Sequence, residues 1–322
     1  MQAAQIYELV NEDFEGVNSL INAQLSSNVP MVEKIGQYIV TSGGKRMRPL
    51  IVILIANALG YDTQKNALKL ATIIEFLHTA TLLHDDVVDA SDLRRGKSTA
   101  NAKWGHAPSV LVGDFLYSRA FQMMVELESM EVMKILANAT NVIAEGEVLQ
   151  LMNVKNPNVS EAHYMEVIRC KTAMLFQAAS HSAAALCHVD SQTQSLRDYG
   201  LHLGLAFQLI DDVLDYRGDA SVMGKNVGDD LAEGKPTLPL IYTMAKGTRA
   251  QQELIRGVIR KGGLEDIEDV LAAVTESGAL DYTATLARQH SSKAKDCLNS
   301  LPDTPYKTAL ESLCSIAVER SH

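Results

Sequence analysis

An all-α fold is the expectation from three features of the chain. Its long Ala- and Leu-rich segments carry little β-branched alternation. Only 5% of residues are aromatic and only 8 of the 322 are proline. Apolar residues recur at helical spacing, as in Ile6, Leu9, Val10 and Phe14. Hydrophobic residues make up 47% of the chain, enough for a sizeable core. No low-complexity tract, short-period repeat or internal boundary interrupts it, so residues 1–322 are expected to form a single domain.

Residues 1–40 carry helix-like spacing and end in the turn Thr41-Ser42-Gly43-Gly44. Lys45-Arg46-Met47-Arg48-Pro49 follows, ahead of an apolar segment over 50–60. Pro49 suits the first turn of a helix, and a Gly-rich turn with three cations before a helix start suits an anion. Residues 67–89 are expected as one long helix carrying His78 and the run Asp85-Asp86-Val87-Val88-Asp89. The loop Ser91-Asp92-Leu93-Arg94-Arg95-Gly96-Lys97 lies directly after it, and its arginines can grip phosphate oxygens bidentately. Trp104 is placed in a connection, followed by helices over 109–127 and 130–152. Asn156-Pro157-Asn158 breaks the second of these. A continuous helix is expected over 161–185, with Lys171-Thr172 embedded in it.

A second acidic run, Asp211-Asp212-Val213-Leu214-Asp215, ends the apolar stretch 201–210. After it comes a stretch rich in glycine and charge, 218–236, that contains Lys225 and Lys235. It is too long for a simple connector and is expected to act as a lid. From Leu238 the chain returns to helices and closes on an amphipathic segment over 306–320.

The two DDxxD runs organise the functional reading. On a helix the first and last aspartates of each run share a face, so like charges crowd together unless something positive fills the space. Hard oxygen ligands grouped in this way suit Mg²⁺ and a phosphorylated substrate. His78 lies two turns before Asp85 on roughly the same face. Lys171, in an otherwise apolar helix, needs an anionic partner, for which a diphosphate is the obvious candidate. Gln208, three residues before Asp211, can reach the same ligand. His84, His106, His181 and His202 have no evident partner and are read as structural.

Composition excludes several classes. A net charge of −10 with no basic stripe argues against a nucleic-acid surface. Cys170, Cys187, Cys297 and Cys314 show no CxxC spacing and are expected as reduced thiols of a cytoplasmic protein. The start of the chain lacks a basic region followed by an apolar run, so no signal peptide is expected. The longest apolar run, over 50–59, is too short to cross a bilayer.

Taken together, Gly43-Gly44-Lys45-Arg46-Met47-Arg48-Pro49, DDVVD at 85–89 with Arg94-Arg95, Lys171-Thr172, and Phe207-Gln208 before DDVLD at 211–215 resemble the trans-isoprenyl diphosphate synthases. Segments such as VLVGDFLYSRAFQMM and GKNVGDDLAEGKPTLPL are similar to the bacterial members that make the ubiquinone side chain. The resemblance implies an isoprenoid-synthase-type helical bundle around a central cavity, a homodimer, and Mg²⁺-dependent condensation of isopentenyl diphosphate onto farnesyl diphosphate. Two or three Mg²⁺ ions would be held by Asp85, Asp86, Asp89, Asp211, Asp212 and Asp215. Lys45, Arg48, His78 and Arg95 would bind isopentenyl diphosphate, and Arg94, Lys171, Thr172, Gln208, Lys225 and Lys235 the allylic diphosphate. Short-chain members carry a bulky aromatic four or five positions before the first aspartate. Here Thr81 and Ala80 stand there, so the growing chain is expected to pass them and Leu77 and to stop deeper, near Met123, Met124 or Met133. A synthase of another product length, a class I terpene cyclase and a non-catalytic partner subunit remain as alternatives.

Overall fold

The computed structural model describes residues 1–217 and 228–319. The all-α expectation holds, and the only strands among the described residues are the two-residue pair β1 (Leu93–Arg94) and β2 (Lys97–Ser98). The chain divides into two compact units. The first comprises Met1–Asn138, Gln177–Asp198 and Cys297–Leu313; the second comprises Ala139–Phe176, Tyr199–Asp296 and Cys314–His322.

In the first unit the amino-terminal region forms α1 (Ala3–Leu9), α2 (Asn11–Leu25) and α3 (Pro30–Thr41). Phe14, Val17, Ile21 and Leu25 form one buried face of α2, at the spacing a helix requires. Next, α4 (Met47–Ala58) is apolar on every side through its middle, where Leu50 to Ile55 are each 0% exposed. Such a helix belongs to a protein core; no helix among the described residues is long and apolar enough to cross a membrane.

The long helix α5 (Leu68–Val88) follows. Trp104, expected in a connection, instead ends a short helix α6 (Ala100–Trp104), because the Thr99 hydroxyl accepts from Ala102 N–H and starts a helical turn there. Then α7 (His106–Glu126) packs along α5. Gly113 permits the close approach: a Cβ there would lie 2.3 Å from His84 Nε2. That ring nitrogen lies 3.1 Å from Val110 O and 3.3 Å from Asp114 Oδ1, so His84 has structural partners that the sequence does not reveal.

The helix α8 (Met130–Asn153) begins in the first unit. The helix expected over 161–185 is interrupted. It runs as α9 (Glu161–Ile168), a π-helical turn over Arg169–Ala173, and α10 (Met174–Leu186). Then come α11 (Asp190–Arg217), a single turn α12 (Asp229–Ala232), α13 (Leu238–Lys246), α14 (Arg249–Lys261), α15 (Ile267–Glu276), α16 (Ala279–Cys297) and α17 (Pro305–Val318). The core of the second unit joins Tyr164 of α9 and Leu209 and Val213 of α11 to Leu240, Ile255, Val270 and Ala284 of the later helices. Lys225 and most of the expected lid lie outside the described residues.

Candidate active site

Both acidic runs close the carboxyl ends of their helices. Asp85 and Asp86 lie in the last turn of α5, and Asp89 is its C-cap, donating its N–H to Asp85 O at 2.8 Å. Asp211, Asp212 and Asp215 lie in the last two turns of α11. That end of a helix is the negative end of its dipole, so carboxylates there are disfavoured until a cation arrives.

In the first unit, Asp86 is 0% exposed. Arg94 donates to its Oδ1 from Nε at 2.8 Å and from Nη2 at 2.6 Å. The buried Oδ2 accepts no hydrogen bond among the described residues. A buried anionic oxygen is costly unless positive charge meets it, so this donor set fits a divalent cation. Among the described residues no three His, Cys, Asp or Glu side chains converge as a closed metal cage. Mg²⁺ on a diphosphate does not require one, since it takes one or two carboxylates plus phosphate oxygens and water.

The hairpin that presents the arginines is tight. β1 and β2 pair with Leu93 opposite Ser98 and Arg94 opposite Lys97, so Arg95-Gly96 is a two-residue turn. Both have positive φ, 55° and 72°, as such a turn demands. Arg46, at the start of α4, is also left-handed, with φ 38°. Ala90, directly after the first acidic run, is a third such non-glycine residue, with φ 51°, and strain of this kind clusters at functional sites. The Arg95 guanidinium lies over Gly44, where a Cβ would come within 2.4 Å of it and where φ is +136°.

Arg48 Nη1 lies 3.3 Å from His78 Nε2. Burial first, and then Arg48, Arg95 and Arg94, holds the His78 pKa well below its usual value, so the ring is neutral and accepts through Nε2. Burial, then Arg94, also lowers the Arg95 pKa. Opposing this crowd of cations is Glu75, 7% exposed, with Oε1 3.9 Å from Arg46 Nε. Burial raises its pKa, while Arg46, Arg48 and Arg95 oppose the rise. The exposed Lys45 is anchored through its backbone, whose carbonyl accepts from Tyr7 Oη.

In the second unit the π turn carries Lys171 and Thr172. Gly146 of α8 and Gly204 of α11 admit this turn closely. A Cβ at Gly146 would lie 2.9 Å from Lys171 N, and one at Gly204 would lie 2.6 Å from Ala173 Cα. Lys171 Nζ donates to Glu147 Oε2 and Gln150 Oε1, both at 2.6 Å. Thr172 Oγ1 donates to Gln208 Oε1 at 2.8 Å, and Gln208 Nε2 donates to Asp212 Oδ1 at 2.8 Å. Tyr164 Oη donates to the other oxygen, Asp212 Oδ2, at 2.5 Å. Burial, and then Asp230, pushes the Asp212 pKa upward. Beyond the undescribed stretch the chain returns beside this run: Gly228 N–H donates to Asp215 O at 3.0 Å. Lys235 pairs with Glu233.

Glu75, Glu147, Gln150, Tyr164 and Asp230 were not singled out by the sequence reading. For the first four no local signal exists, because their partners lie tens of residues away. Asp230, in the acidic pair after Gly228, carried a visible cue. Of the positions expected to govern chain length, Ala80 and Leu77 on α5 and Met123 and Met124 on α7 are at most 1% exposed. Thr81 is half-buried, its hydroxyl donating to His78 O at 2.7 Å.

A family model described as polyprenyl synthetase matches residues 29–276. The chain is 52% identical over 324 aligned positions to the octaprenyl diphosphate synthase of Haemophilus influenzae, covering 100% of this chain and 98% of that one. It is also 52% identical to the Escherichia coli octaprenyl diphosphate synthase, covering 99% of each. Among solved structures, a polyprenyl synthase from Caulobacter crescentus, complexed with calcium and isoprenyl diphosphate, superimposes with a TM-score of 0.96 at 47% identity. That match covers 100% of this chain and 98% of the other. With matches of this length and identity, the chain belongs to the polyprenyl synthetase family and is a prenyltransferase.

Proposed function

We propose that the chain is a Mg²⁺-dependent octaprenyl diphosphate synthase that extends farnesyl diphosphate with isopentenyl diphosphate to make the ubiquinone side-chain precursor. The observation that carries the reading is the pair of acidic helix ends, each beside its own set of cations. Full-length likeness to octaprenyl synthases supports the product length.

Asp85, Asp86, Asp89, Asp211, Asp212 and Asp215 are the carboxylates assigned to hold Mg²⁺, which when bound supplies positive charge to the departing diphosphate. Lys171, already oriented by Glu147 and Gln150, and Arg94, Thr172, Gln208, Lys225 and Lys235 bind the allylic diphosphate. Their charge and hydrogen bonds favour the anion that develops as the C–O bond ionises. Lys45, Arg48, Arg95 and neutral His78 hold isopentenyl diphosphate, whose double bond attacks the allylic cation. The released diphosphate then accepts the proton, so no strong side-chain base is needed. Buried apolar residues such as Leu77 and Met123 exclude water from the cation. The proposal extends to one functional domain, a cytoplasmic workplace and a homodimer; exposed Leu111 and Val125 on α7 are surfaces a second copy would cover.

The test is purified protein alone with farnesyl diphosphate and labelled isopentenyl diphosphate, with products read by mass spectrometry. Octaprenyl diphosphate is expected. A hydrocarbon or alcohol would mean a cyclase, no product a partner subunit, and another length a different synthase.

A further inference from the structure

Within the second acidic run, Asp212 is held from two sides. It is 1% exposed, and both its oxygens are taken by protein donors: Gln208 at Oδ1 and Tyr164 at Oδ2. Gln208 is itself held by Thr172. The Tyr164 ring, 5% exposed, belongs to the same apolar cluster as Leu209 and Val213 of α11, so its hydroxyl is delivered from a fixed body. A carboxylate oxygen has a second lone-pair direction, so these bonds orient Asp212 without exhausting it. They also share its negative charge in a neighbourhood where Asp211 and Asp230 add like charge.

We propose that Tyr164 is a positioning residue for the second acidic run, setting the orientation of Asp212 and thereby the affinity of that run for Mg²⁺ on a diphosphate. Its hydroxyl acts through Asp212, to which it donates. The inference rests on the reading of 211–215 as a metal-diphosphate site.

The experiment compares the full chain with Tyr164→Phe and with Tyr199→Phe. Tyr199, fully buried in the first half of α11, serves as the matched loss of a buried hydroxyl. Thermal unfolding is followed against Mg²⁺ with inorganic diphosphate present, and steady-state kinetics are measured beside it. Tyr164→Phe is expected to raise the Mg²⁺ concentration for half-maximal stabilisation roughly 10–100-fold, the usual cost of losing a group that orients a metal ligand. The same variant should lower kcat while leaving the KM for isopentenyl diphosphate within about twofold of the parent. Tyr199→Phe should keep the parental Mg²⁺ midpoint. An unchanged midpoint in Tyr164→Phe would overturn the proposal. So would a metal-free Tm far below that of Tyr199→Phe, which would make the residue a packing group. A parent protein that Mg²⁺ and diphosphate fail to stabilise would refute the metal site itself, a separate result.

Discussion

Replacing Gly146 by alanine sets two effects against each other beside the π turn that carries Lys171. Within a helix, alanine is better than glycine by about 1 kcal/mol. The new Cβ, however, would stand 2.7 Å from Cys170 Cβ, 2.9 Å from Lys171 N and 3.1 Å from Cys170 C. Two of these three atoms are backbone, so no side-chain rotation relieves the clash. Overpacking of this kind costs about 1–3 kcal/mol, which outweighs the helical gain over most of that range. Gly257, exposed on α14 with nothing within 4 Å of its Cβ position, supplies the control. Gly257→Ala should show the helical gain alone, so urea unfolding should separate the two variants by about 1–3 kcal/mol. Activity should fall further than stability. Relief of the clash moves the π turn and pulls Lys171 from its bonds to Glu147 and Gln150, and a misplacement of about 1 Å can cost on the order of 10²-fold. If Gly146→Ala matched Gly257→Ala in stability and kept full kcat, the close seat of this turn would not matter.

Asp85→Ala and Asp211→Ala should each lower kcat by about 10²–10³ or more with the fold intact; near-normal turnover of both in excess Mg²⁺ would refute the metal-binding role of the two runs. Arg48→Ala should mainly raise the KM for isopentenyl diphosphate, and Lys171→Ala should mainly impair allylic binding or ionisation; the reverse pattern would mean the subsites are exchanged. Ala80→Tyr should shift products to short chains while the first condensation persists, and a folded, active variant still making full-length product would rule out this face as the tunnel wall. Because Ala80 is 0% exposed, its Tm must be measured too, since overpacking costs about 1–3 kcal/mol. The last expectation concerns pH. His290 is 8% exposed, with Nδ1 3.0 Å from His202 Nδ1. Burial first, then His202 and Lys293, lowers its pKa to about 4, below the ~6.5 of an unfolded histidine. The unfolded chain therefore takes the proton first: stability is full above pH ~6.5 and is lost as pH falls towards 4, by at most about 3 kcal/mol. Urea unfolding across that window should show a shallower loss in His290→Gln, and equal slopes would refute the assignment.

The sequence by itself determined the helical class, the two acidic runs and the basic turn before α4. These are local facts: helical periodicity, i to i+4 spacing and the clustering of charge are written in neighbouring residues. The family followed from the order of those motifs along the chain. Only the tertiary structure decided how the motifs are held. The break at Arg169–Ala173 was invisible because 161–185 has unbroken helical character, and the turn depends on Gly146 and Gly204 allowing close backbone approach from elsewhere in the chain. Among their partners, Lys171, Asp86 and Asp212 meet Glu147, Arg94 and Tyr164, which lie 24, 8 and 48 positions away, while Gln208, four positions before Asp212, is the local one. Of the first three, only Arg94 was near enough to be noticed. Periodicity tells which face of a helix is buried, but it carries no record of which distant side chain meets a buried charge. That pairing is set by how the helices pack, as is the burial of Asp86 and Asp212 beside the half-buried Asp85 and Asp211.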